Sequence, residues 1–144
     1  MFILFFIIFF LYLLYREVLK LTIMYALFLS LASPIFYYYL GSSLKENILL
    51  VGDSSFYIVI LLHLNLIYFY LLVKKENFNN YILFAGIIFL ISIFFRIIDK
   101  VYCDINLYGT HFLWHILNSL VLFYLVKFII SNLSFHPKNT NQVL

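Results

Sequence analysis

Apolar residues run through this chain in five long blocks, and the polar interruptions between them set the elements. The breaks fall near residues 16–20, 41–53, 74–80 and 96–110, and polar residues return from Ser131. A helix that crosses a bilayer needs about 20 mainly apolar residues. The blocks therefore predict membrane helices near residues 2–15, 21–40, 54–73, 81–98 and 111–130, an all-α integral membrane bundle of about five spans. The first block is short for a crossing. It has no basic residue before it and no small-residue cleavage site after it, so it is read as a retained span, not a cleaved signal. Residues 131–144 are Asn-rich, contain Pro137 and lack periodicity, and are read as a disordered tail carrying a solvated His136.

Composition agrees with this pattern. The chain has 144 residues, 66 % hydrophobic and only 10 % charged, with a mean hydropathy of +1.07. So few charges do not cover a water-facing surface, and a chain this short has no core large enough for the remainder. The net charge of +3 comes from scattered Lys and Arg, which excludes a basic stripe for nucleic acid. The single cysteine, Cys103, excludes an intramolecular disulfide.

Sidedness follows from the Lys and Arg count. With five crossings, Arg16, Lys20, Lys74, Lys75, Lys127 and Lys138 share one side, six residues against the three at Lys45, Arg96 and Lys100. The heavier side is the cytoplasmic one, which puts the carboxyl terminus inside and the amino terminus outside.

Ionisable residues within or beside spans are costly, so they mark candidate chemistry. His111 and His115 lie one turn apart on one helix face, a spacing at which two imidazoles reach one metal. Two interfacial histidines bonding to water or backbone have the same spacing. Under the five-span topology Ser33, Asp53, Asp99, Cys103, His111 and His115 all fall towards one membrane face, from four spans or their borders. His63, near the middle of the third span beside Asn65, is read as an inter-helix hydrogen-bonding group. Arg96 and Asp99, three residues apart, are expected to pair with each other.

The run from Phe95 to Asp104, with Asp99 and Cys103, and the following Thr110-His111-Phe112-Leu113-Trp114-His115 resemble the last two spans of alkaline ceramidases. The wider superfamily includes the progestin and adiponectin receptors and the myomaker-like proteins. The resemblance implies a zinc-dependent hydrolase acting on a lipid amide, such as a ceramide or another sphingolipid, at the membrane interface. His111 and His115 match its last-span zinc ligands. Asp53 matches its third-span Asp, a general base, and Ser33 its second-span Ser, an oxyanion donor. Tyr37 stands in the slot of the third zinc-binding His, so Tyr37 or Asp53 would have to complete the ligand set. The family has seven spans where this chain has five. Those two departures favour the alternative of a non-catalytic, degenerate membrane relative that binds lipid or partner helices. A third reading makes the histidine pair incidental in a subunit that packs against other spans.

Overall fold

A computed structural model describes residues 2–48, 52–74, 80–102 and 110–134, and it is all-α, with five helices. Helix α1 spans Phe2–Leu13 and widens into a π-helical turn at Leu14–Val18. Helix α2 spans Ile23–Asn47, α3 Ser55–Val73 after a 3₁₀ turn at Gly52–Ser54, α4 Tyr81–Tyr102 and α5 His111–Ser134. Four of the helices, α2 to α5, are long and apolar enough to cross a membrane, the make-up of a multi-pass membrane protein. The α1 segment with its π turn is 17 residues, about 25 Å at 1.5 Å per residue and shorter than the hydrocarbon core.

Three helices run past the ends that hydropathy predicts, and one of them is α4, which continues beyond Ile98 to Tyr102. α2 continues through Gly41-Ser42-Ser43 to Asn47, and α5 runs to Ser134, four residues into the expected tail. The polar side chains there bond back to the helix. Asn47 Nδ2 donates to the Ser43 carbonyl at 2.7 Å, and Asn132 Nδ2 to the Phe128 carbonyl at 2.8 Å. A polar residue thus ends a hydrophobic stretch without ending the helix. Residues 135–144, with His136, lie outside the described residues.

Consecutive helices pack on one another, and α5 closes on α1 and the π turn, so the five form a ring. The α1–α2 connection is tight. Lys20 takes a left-handed conformation with φ of 57°, and Leu21 N–H donates to the Tyr15 carbonyl at 3.0 Å. One stripe of α2 is buried: Ala26, Ser30, Ser33, Tyr37 and Gly41. Small residues of this kind let helices approach where both the folded and separated states sit in lipid. Pro34 within α2 removes one backbone donor, so the Ser30 carbonyl has no helical partner four residues on.

Gly41 marks the closest approach of α2 to α3. A Cβ there would lie 3.1 Å from the Phe56 Cα and 3.0 Å from its Cε1, so the backbones have to separate. Gly86 has nothing within 4 Å of the same position. Gly41→Ala is expected to cost about 1–3 kcal/mol by overpacking, and Gly86→Ala to be neutral or to stabilise by up to about 1 kcal/mol. Unfolding of both variants in mixed micelles checks the contrast; equal stabilities would refute the close approach.

Candidate functional site

Two polar groups and a cavity stand out in the apolar bundle. The first is at the start of α5. His111 Nε2 and His115 Nε2 lie 3.1 Å apart, as the one-turn spacing requires. His111 Nδ1 is 3.3 Å from Asp99 Oδ2, and the two side chains are 56 % and 13 % exposed. The pair therefore faces out of the bundle, while Trp114 between them is buried.

Asp99 is also what anchors the start of α5. Its Oδ1 accepts the Thr110 N–H at 2.6 Å and lies 3.3 Å from Thr110 Oγ1, which donates to the Phe95 carbonyl at 3.1 Å. The carboxylate is thus engaged with the start of α5, which corrects the expected pairing of Asp99 with Arg96. The Arg96 guanidinium lies over two rings instead, 4.7 Å from the centre of Tyr57 and 4.5 Å from that of Trp114.

Zinc bound by both imidazoles at 2.0–2.1 Å would hold their nitrogens about 3.3 Å apart in tetrahedral geometry. The observed spacing suits that, and a carboxylate behind one imidazole is the usual outer partner of a metal-binding His. The fit stops there. Among the described residues no group of three or more His, Cys, Asp and Glu is placed to hold a metal, and a catalytic zinc takes three protein ligands.

The second group is a buried chain of hydrogen bonds linking the π turn, α2 and α3. Tyr37 OH bonds His63 Nδ1, His63 Nε2 lies 3.4 Å from Tyr15 OH, and Tyr15 OH lies 3.2 Å from Ser33 Oγ. Ser33 Oγ donates onward to the Leu29 carbonyl at 2.7 Å. That last bond uses the serine proton, so one direction satisfies the whole chain. Ser33 accepts from Tyr15, Tyr15 accepts from His63 Nε2–H, and His63 Nδ1 accepts from Tyr37. Tyr37 is then a donor that keeps its proton, whereas a metal ligand must lose it. His63 has the inter-helix bonding role expected of it.

So the residues expected to share one site fall into two places. His111 and His115 are together on the outer face of α5, and Ser33 and Tyr37 are together in the α2–α3 network. Helix α2 does not pack against α5 among the described residues. Asp53 sits in the Gly52–Ser54 turn that leads into α3. Cys103 and Asp104 lie outside the described residues.

The third feature is a partly open cavity of about 130 Å³ inside the ring. All five helices line it, mostly with Phe, Ile, Leu and Val. Its polar lining is Tyr37, Tyr57, His63, Trp114 and Asn118. On the α4–α5 side Ser92 Oγ donates to Asn118 Oδ1 at 3.0 Å. Sequence reasoning did not find the cavity or the place of Arg96 beside it. Arg96 carried a signal, as a cation within an apolar helix; Tyr15 carried none, being one of 13 tyrosines. No protein-family model, curated protein or solved structure matches the chain.

Proposed function

We propose that this chain is a non-catalytic membrane protein that holds one lipid chain inside its helical ring, the degenerate relative of ceramidase-like proteins that the resemblance allows. The cavity carries this reading. Its lining is mostly apolar side chains, which gain packing contacts only from an apolar group that enters between them. An acyl chain makes those contacts, and the surrounding bilayer supplies it. The excess of Lys and Arg on one side supports a cytoplasmic carboxyl terminus and an outer amino terminus, with α1 taken as a crossing.

Extraction of the detergent-purified protein, followed by mass spectrometry, tests this. The expected result is about one lipid chain per protein, reduced at least fivefold by Val121→Phe, which fills the cavity from α5. Equal lipid in the two proteins, or none in either, would refute it.

One observation favours a second reading, the zinc-dependent lipid amidase. It is the 3.1 Å spacing of His111 and His115 with Asp99 behind the pair. Metal analysis separates the two readings. The amidase predicts near-stoichiometric zinc and ceramide hydrolysis, both lost when His111 and His115 are changed to Ala. Equal background metal in both proteins removes that reading.

A further inference from the structure

The cavity has a direction. Its lining runs from Tyr57 to Ile67 on α3 and from Trp114 to Leu125 on α5, about 15 Å along each helix. Ile67 and Leu125 make one end wholly apolar. Tyr57 and Trp114 make the other, their rings edge to face with centres 5.9 Å apart. The Arg96 guanidinium rests against both rings at that end.

Among the described residues, this end has donors without acceptors. Arg96 Nε and Trp114 Nε1 are buried, and neither has a hydrogen-bond partner among the described residues. Trp114 is only 7 % exposed, so bulk water does not relieve its indole N–H. Rings stabilise a guanidinium by cation–π attraction but accept none of its five N–H groups in the plane. Asp99, the carboxylate nearest in sequence, is engaged with Thr110 and His111. A cation and a second N–H donor in a weakly polar site suit an anionic oxygen far better than a neutral one.

We infer that the cavity takes a single-chain lipid whose anionic head, a carboxylate or a phosphate, binds Arg96 and Trp114 while its tail runs towards Ile67 and Leu125. This rests on the lipid-chain reading above and adds the head chemistry and the orientation.

Trp114 is the only tryptophan, so its fluorescence in the full-length protein in maltoside micelles reports directly on this end. Brominated chains quench an indole on contact. 2-Bromododecanoate, with bromine beside the carboxylate, is expected to quench Trp114 saturably and several-fold more than 12-bromododecanoate. Dodecanoate and dodecyl phosphate should compete at least tenfold more tightly than dodecanol. Arg96→Gln should bring both anions down to the level of dodecanol, and Arg96→Lys should keep part of the preference.

Equal competition by dodecanol, or stronger quenching by the 12-bromo chain, would overturn the head assignment and leave the lipid-chain reading standing. No saturable quenching by either brominated chain would remove the lipid-chain reading itself. Full competition by inorganic phosphate alone would overturn the lipid source and leave a free-anion site. If Arg96→Gln does not fold, the wild-type quenching and competition decide the matter without it.

Discussion

Phe128→Ala should destabilise the bundle by about 3 kcal/mol, at the lower end of the range for a buried Phe. Phe128 is the largest fully buried side chain, at 0 % exposure in the half of α5 that follows the cavity. In water such a truncation loses both transfer free energy and packing. In a bilayer the separated helix leaves its phenyl in lipid, so most of the transfer part disappears and the packing part remains. Phe123→Ala, on the same helix but 53 % exposed, provides the control and should change stability by less than about 0.5 kcal/mol. Reversible unfolding by SDS titration in mixed micelles measures both. Equal losses would mean that α5 is rotated relative to the ring described above.

His63→Leu should cost about 2–3 kcal/mol because it strands two partners at once. Tyr37 loses the acceptor of its O–H, and Tyr15 loses the donor that faces its oxygen. Leucine fills a similar volume, so the loss is mainly polar. Adding Tyr37→Phe to His63→Leu should restore about 1 kcal/mol, since the stranded hydroxyl is then gone. Hydrogen bonds between membrane helices average only about 0.6 kcal/mol, so a cycle near zero would reduce the network to incidental contact. The thermal midpoints of the wild type and the three variants give that cycle.

Most of the fold was legible because the bilayer makes hydropathy almost a ruler. The starts of α3, α4 and α5 at Ser55, Tyr81 and His111 lie within a residue of where the polar breaks placed them. Ends were harder to read, since Ser43, Asn47 and Asn132 are polar enough to interrupt a hydrophobic run yet bond along the helix that contains them.

The site was legible only in fragments. The spacing of His111 and His115 fixes that they share a face, and the structure has them in contact. It does not fix which way that face points. α5 is apolar on nearly every side, so no pattern distinguishes its inner surface, and the buried residue of that turn is Trp114. The partners of His63 were hidden for a different reason. Tyr15 is indistinguishable in sequence from the interfacial tyrosines, and Tyr37 stood out only as the residue in a zinc-ligand slot. Arg96 shows the opposite case: its place within a helix was plain, but the rings that hold it come from α3 and α5, which only packing brings together.

Ser92, Arg96 and Asp99 fall on one face of α4, and each finds its partners at α5: Ser92 at Asn118 and the Trp114 carbonyl, Arg96 at Trp114, and Asp99 at Thr110 and His111. During synthesis α4 leaves the ribosome before any of them exists. An arginine costs about 2.5–3.5 kcal/mol at the centre of an inserting helix and less towards its end, where Arg96 lies, and a serine and an aspartate on the same face add to that. The last two helices are therefore expected to insert as a pair, with α5 covering the polar stripe of α4. A chain cut short in the loop between them would present that stripe to lipid, an unassembled surface of the kind membrane quality control removes.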